Sequence, residues 1–403
     1  MGALERDQER VGRIQAELQK NGLDALICTL PSNVLLVSGY WPVIGTAIAI
    51  ATREGAIAVL APEDEAELAR HSWGNEIRTF EGGSLESLAR TAENVPGPLN
   101  SLGKLMGFDS GRVIGFEGSS SFDPPSYAST FVYGAVLPTL LSTAFPSCTC
   151  TDATQSLEQL QATLTPRELQ IVREACRTAS EAFLDGTPQI REGVRECQIA
   201  AVVRSKLLTA ADHSKRSDGF AYCMSGPNSA QAYAAYQRSR SRAIQRGDFV
   251  LLHCNSYCGG FWTDITRTFC VGEPDTQKTR IIDAVLEASR AAIDTVRPGM
   301  KASDVDRAAR QVLESHGFGE EFRHATGHGV GFAAINHNAL PRIHPLSDEI
   351  LEVGMLFNIE PAVYIPDFGG MRHCDMVVVT DDGAELLTPF LSRTEQLVVE
   401  IER

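Results

Sequence analysis

The stretch REGVRECQIAAVVRSKL (191–207) aligns without a gap to RPGMKASDVDRAARQVL (297–313), an offset of 106 residues. Arg, Gly, Arg and Leu recur at matching places, and both copies keep a helical period. Each copy follows another amphipathic segment, RELQIVREACRTASEAF (167–183) or TRIIDAVLEASRAAIDTV (279–296), and each precedes strand-rich sequence. Residues 165–403 are therefore constrained to build one helix–helix–hairpin unit twice. Thr165-Pro166 opens the first copy, with proline suited to the first helical position.

The preceding region reads differently. Leu4, Val11, Ile14 and Leu18 lie at helical spacing over 4–20, and Asn21-Gly22 stops that helix. Short apolar runs follow at 25–29, 46–51, 56–61 and 112–118, with a charged helix expected over EDEAELARHSW. Alternating strands and helices predict an α/β unit. ENVPGPLNSLGKLMG (93–107) reads as loop-rich. The expected domains are 1–160 and 161–403.

With 403 residues, 43% of them hydrophobic, the chain can bury a large core. Its net charge of −15 argues against a nucleic-acid binder, which needs a basic face. The ten cysteines show no C-x-x-C pair or regular spacing, and Cys148 and Cys150 are too close for easy bridging. They read as reduced thiols of a cytoplasmic protein. The charged start is no signal peptide. The longest apolar stretch, around 42–51, is too short and broken for a bilayer, so no membrane partner is expected.

Both repeats end in a hairpin carrying polar groups. In FVLLHCNSYCGGFWTDITRTF (249–269), a turn centred on Tyr257-Cys258-Gly259-Gly260 sets His253 opposite Asp264. In MLFNIEPAVYIPDFGGMRHCDMVVVT (355–380), a turn at Asp367-Phe368-Gly369-Gly370 sets Glu360 roughly opposite Cys374. Between them lies HATGHGVGFAAINHN, with His324, His328 and His337. Its glycines are no phosphate loop, because the Gly-Lys-Ser/Thr ending is missing. His253, Asp264, His328, Glu360 and Cys374 are all metal-ligand types. Each has an ordinary reading as well: a buried histidine is usually a satisfied core residue, Cys374 a small core filler, and Asp264 a partner of Arg267 or Arg372.

DITRTF (264–269), GHGVG (327–331), NIEPAVY (358–364) and MRHCDMVVVTDDG (371–383) occur here in the order found in the pita-bread family of methionine aminopeptidase, aminopeptidase P, prolidase and creatinase. The chain resembles the creatinase/prolidase/aminopeptidase P branch over nearly its whole length. The resemblance implies an α/β N-terminal domain followed by an α+β pita-bread catalytic domain with internal duplication. Metal-dependent members hold two ions with Asp, Asp, His, Glu and Glu. Carried over by motif, the second Asp is Asp264, the His is His328 and the first Glu is Glu360. The first Asp falls on His253 and the last Glu on Cys374. A substrate-binding His expected after SGPN falls on Tyr233.

Loss of two anionic ligands disfavours a pair of hard ions. One divalent ion, zinc before manganese or iron, suits Asp264, His328, Glu360 and Cys374, with His253 joining it or binding substrate; a metal-free site is the other expectation. The leading functional expectation is a hydrolase cleaving a C–N bond in a small amide, amidine or short peptide-like substrate. Glu360, His253 and His328 are its candidate catalytic groups. Tyr233, His324, His337 and Arg372 are its candidate substrate contacts. Alternatives are an Xaa-Pro aminopeptidase or prolidase-like metallopeptidase, a metal-free creatinase-like amidinohydrolase, and a non-catalytic binding module on the peptidase fold. A homodimer is implied by the resemblance alone.

Overall fold

The structure is a computed structural model describing residues 5–43, 45–82, 85–86, 88–108, 111–118, 136–210, 216–233, 239–333 and 336–400. The chain divides into two compact units, Met1–Gln161 and Ala162–Arg403.

The first unit begins with α1 (Gln8–Lys20), whose Asp7 side chain accepts from the Arg10 amide at 3.0 Å. That cap sets the helix start, later than the apolar spacing alone suggests. Strands β1 (Ala25–Cys28), β2 (Ile48–Thr52), β3 (Ile57–Pro62), β4 (Glu76–Phe80), β5 (Val113–Phe116) and β6 (Thr149–Asp152) form one mixed sheet. Their order is β4-β3-β2-β1-β5-β6. The first three are buried throughout, which explains their unbroken apolar runs. Helices α2 (Pro31–Ser38), α3 (Ala66–Ala69), α4 (Thr91–Asn94), α5 (Pro96–Leu105), α6 (Val136–Ala144) and α7 (Thr154–Ala162) complete the unit.

Two expectations change here. The segment expected to be loop-rich is mostly helix: Pro96 starts α5, and Leu99 and Leu102 are buried on its inner face. Proline at the first turn of a helix breaks nothing. The charged helix after β3 is only a short 3-10 turn and α3.

The second unit realises the repeat. Helix α8 (Pro166–Gly186) starts on a reciprocal Thr165–Glu168 cap, and α9 (Glu196–Thr209) follows. Their counterparts are α10 (Thr276–Thr295) and α11 (Ala302–Ser315), and both ends of α11 lie 106 residues beyond those of α9. After the first pair come β7 (Ser217–Ser225), β8 (Phe249–Cys258) and β9 (Phe261–Val271). After the second come β10 (Leu356–Ile359), β11 (Ala362–Ile365), β12 (Gly369–Arg372), β13 (Asp375–Thr380), β14 (Gly383–Leu386) and the short β15 (Val398–Val399). Two ladders, β10–β13 and β11–β12, share one register and are interrupted at Glu360-Pro361 and His373-Cys374. The interruption frees Glu360 and Cys374 from regular strand pairing. A bridge between Thr266 and Cys374 joins the two hairpins.

Candidate active site

The β8–β9 hairpin turns on Gly259 and Gly260, both with positive φ, 60° and 90°. A two-residue loop of this type wants glycine at both positions. Asn255, not His253, therefore lies opposite Asp264, and His253 lies opposite Thr266. The sequence expectation placed the turn one residue early, which slips the pairing by two. A slip of two keeps every side chain on its face. His253 still reaches Asp264, with Nδ1 3.7 Å from Oδ1, but diagonally.

His253 is fully engaged. Its Nε2 donates to Asn255 Oδ1 at 2.8 Å, leaving Nδ1 to accept from the Thr266 hydroxyl at 2.9 Å. That hydroxyl in turn accepts from Arg372 Nε at 3.0 Å. Burial, reinforced by the nearby Arg372 charge, pushes the His253 pKa down to about 4. A neutral ring with both nitrogens occupied is neither a ready ligand nor a base near pH 7.

His328 is presented differently. Gly327 and Gly329 flank it because backbone crowds both: an added Cβ would sit 1.9 Å from Asn358 O and 2.1 Å from Leu340 O. Asn358 Oδ1 accepts from the His328 amide at 2.7 Å. The ring Nδ1 donates to Gly329 O at 3.0 Å, so Nε2 carries a lone pair. Asn358 Nδ2 approaches that nitrogen at 3.3 Å, and Asp264 Oδ2 faces it at 3.7 Å.

Asp264, Glu360 and Cys374 offer ligand atoms all within 4.8 Å of one another, and all three are buried. Donors about 2.0–2.3 Å from one tetrahedral ion stand roughly 3.3–3.8 Å apart. Burial raises the Asp264 pKa, but His253, His328 and Arg372 together hold it below its ordinary value. Burial pushes Glu360 up to about 7, against the pull of Arg372, whose Nη1 lies 3.7 Å from Oε2. Burial, with Asp264 and Glu360 adding to it, pushes the Cys374 thiol well above its usual range. It donates to Asp264 O at 3.2 Å and lies 3.5 Å from Oδ1. The donor set fits one cation: a carboxylate and an imidazole lone pair face each other, and two further acid groups wait alongside.

The remaining candidates spread outward. His324 donates from Nδ1 to Ala325 O at 2.8 Å, so its Nε2 accepts from Tyr364 Oη at 3.0 Å. Burial and Arg372 lower its pKa to about 3. It orients Tyr364, and both its ring nitrogens are engaged within the protein. His337 packs edge-on to His328 with centroids 5.0 Å apart. Tyr233 is 45% exposed, and its ring lies 5.7 Å from that of Tyr364. Arg267 pairs with Asp375, not Asp264.

Sequence reading missed the groups that hold the ligands in place. Besides Thr266 and Asn358, Asp306 on α11 accepts from the Thr326 amide at 3.0 Å and its hydroxyl at 2.8 Å, and is gripped by Arg310 at 3.0 Å. Thr326 O accepts from the Glu360 amide at 2.7 Å. One buried carboxylate thus fixes the backbone before His328 and beside Glu360. Asp306→Ala is expected to lower unfolding free energy by about 2–3 kcal/mol, because Thr326 and Arg310 lose a charged partner. Urea denaturation checks this, and a loss under about 0.5 kcal/mol would contradict the positioning role.

Comparison with known proteins follows the same lines. Residues 10–162 match the creatinase/prolidase N-terminal domain, and residues 170–381 match metallopeptidase family M24. The Xaa-Pro dipeptidase of Pyrococcus furiosus is 28% identical over 381 residues, covering 94% of this chain and 98% of that protein. The probable dipeptidase PepE of Mycobacterium tuberculosis is 33% identical over 274 residues, covering 65% of this chain and 71% of that one. The solved prolidase of Pyrococcus horikoshii superposes with a TM-score of 0.74 at 27% identity, covering 94% of this chain and 98% of that one. Among the described residues no helix is long and apolar enough to cross a membrane. With the pita-bread fold, the buried cluster of Asp264, Glu360 and Cys374 and both family matches in place, the chain belongs to metallopeptidase family M24 and is a C–N bond hydrolase of its creatinase/prolidase-like branch.

Proposed function

We propose that this chain is a dipeptidase-like hydrolase of short peptides or peptide-like amides, working with one divalent ion held by Asp264, His328, Glu360 and Cys374. The observation that carries this reading is the buried cluster of Asp264, Glu360 and Cys374, whose ligand atoms lie within 4.8 Å of one another, with His328 Nε2 facing the Asp264 carboxylate at 3.7 Å beside it. A cation there would bind both acceptors in place of the Asn358 Nδ2 contact that His328 Nε2 now makes at 3.3 Å. Relatives named Xaa-Pro dipeptidase and dipeptidase favour a peptide over a creatine-like guanidino compound. Cysteine among the donors favours zinc, and ligation would displace its proton.

Such an ion supplies Lewis-acid polarisation of the scissile carbonyl and makes water acidic enough to react near neutral pH. The protein does the rest. Glu360 accepts the proton of the attacking water and returns it to the leaving amine. Arg372 beside it stabilises negative charge developing on the substrate. His324 holds the Tyr364 hydroxyl in orientation.

The test is metal content per chain on untagged protein purified without chelator, paired with a screen of prolyl and non-prolyl dipeptides. About one ion per chain, lost in His328→Ala together with turnover, is the expected result. No ion after soaking in zinc, manganese and cobalt would transfer the reading to metal-free hydrolysis. The Arg372–Glu360 contact at 3.7 Å is the observation favouring that second reading, since it already offers a cation.

Glu360 also makes a pH prediction for metal-free protein. Its folded pKa of about 7 lies above the ordinary 4.5. The folded state therefore holds this proton when the unfolded chain has lost it. The contribution is most favourable below about pH 4.5, falls as pH rises towards 7, and levels off beyond. Wild type should lose roughly 1–3 kcal/mol relative to Glu360→Gln between pH 4.5 and 7. Parallel stability–pH curves for the two proteins would refute the buried-carboxyl account.

A further inference from the structure

The sheet face that carries Asp264 also carries an aromatic group unused by the chemistry above. Three rows cross β7, β8 and β9 in register: Asp218–Tyr257–Trp262, Phe220–Asn255–Asp264 and Tyr222–His253–Thr266. Alternation puts all of them on one face. The other face carries Cys223, Leu252, Cys254 and Ile265, each wholly buried. On the Asp264 face, Phe220, Tyr222, Tyr257 and Trp262 stay half-buried.

These four rings are ordered. Phe220 and Trp262 lie parallel within 3°, with centroids 6.4 Å apart. Tyr257 meets Trp262 edge-on at 4.8 Å, and Tyr222 stacks on His253 at 6.0 Å and 15°. Asn255 lies in the middle row, between Phe220 and Asp264, wholly buried, and its Nδ2 has no hydrogen-bond partner. An acceptor oxygen entering beside the rings would satisfy that donor. Two strand spacings separate Phe220 from Asp264, about 10 Å of backbone. That suits an arylmethyl side chain next to a bond held at Asp264.

We propose that this shelf is the subsite for an aromatic side chain adjacent to the cleaved bond, so that preferred substrates are short peptides or amides bearing a phenyl-, hydroxyphenyl- or indole-type ring. The proposal rests on the hydrolase reading for what the bound molecule undergoes, so its test is of binding alone. Phenylalaninamide and alaninamide share the amine and the amide and differ in the ring. Isothermal titration of the full chain is expected to show about tenfold tighter binding of phenylalaninamide, since aromatic pairs add to simple area burial. Phe220→Leu and Trp262→Leu should each shrink the difference to about twofold. Saturation transfer between the probe's ring protons and the Trp262 indole in the wild type gives a readout independent of how the variants fold.

Equal binding of the two probes overturns the proposal, and so does a preference that survives both substitutions. An oligomer that dissociates on Trp262→Leu, with no difference between probes, would assign the shelf to self-association and overturn it as well. A protein that cleaves no dipeptide yet keeps the ring preference retires the hydrolase reading and leaves the shelf. One that cleaves dipeptides without ring preference does the reverse.

Discussion

Arg267→Ala is expected to cost about 3–5 kcal/mol of unfolding free energy, enough to leave the second unit barely folded. The side chain is fully buried. Its Nη2 donates to Asp375 Oδ1 at 2.6 Å and to Thr388 O at 2.8 Å, while Nη1 serves Thr266 O and Cys374 O at 2.8 and 2.7 Å. Its Nε reaches Phe390 O at 2.8 Å, and the guanidinium stacks on the Phe390 ring at 4.3 Å. Asp375, buried and also bound by Thr388 and His373, is held well below the carboxylate range: burial opposes its charge, and Arg267 and His373 overcome that. Alanine would leave a buried carboxylate without its guanidinium partner, held only by Thr388 and His373, and several carbonyls without a donor. Lysine restores the charge but not the planar fork, so Arg267→Lys should recover only part. Guanidinium denaturation measures both variants. A loss below about 1 kcal/mol for alanine would mean the pair is replaceable by water, against the burial argument.

Much of this architecture was legible because local signals agreed with it. The 106-residue offset carried over to both ends of α9 and α11, since the two segments share one helical pattern between matching start and stop positions. The second hairpin kept the rough pairing of Glu360 with Cys374, bracketed by Ile359–Asp375 and Ala362–Arg372, but its turn lies earlier than expected, since Gly369 and Gly370 pair with Ile365 and Tyr364 inside β12. The first hairpin slipped by two because Gly259-Gly260, a complete two-residue loop, was read as the end of a longer turn. The segment 93–107 reads as loop-rich from its prolines and glycines, yet Pro96 is a helix start, where proline suits the first turn. The clamps were invisible. Asp306 and Asn358 work on backbone 20 and 30 residues away, and no local pattern encodes that. Nor could the sequence show that His253 is spent on Thr266 and Asn255, which depends on rotamers set by tertiary packing.

That arrangement of His253 makes the second large prediction. Restoring the carboxylates that the family resemblance implies, His253→Asp with Cys374→Glu, is expected to raise metal content from about one ion per chain to two and to increase dipeptide turnover in manganese by about 100-fold. His253 now gives Asp264 a neutral neighbour and ends a hydrogen-bond chain that starts on Arg372. Cys374 gives it a thiol that burial keeps protonated until an ion displaces the proton. With at most one thiolate added, one divalent cation with Arg372 suffices for Asp264, Glu360 and Cys374. Two more carboxylates, placed among buried acids, cannot all ionise without further positive charge. The double variant should therefore unfold at a lower temperature than wild type in chelator and regain the difference when millimolar manganese is added. Either substitution alone should do less, because one extra carboxylate is still within reach of Arg372 and a single ion. A double variant that binds no second ion, with near-UV circular dichroism unchanged, would show that Thr266, Asn255 and Arg372 have reshaped the pocket beyond the reach of its ligands.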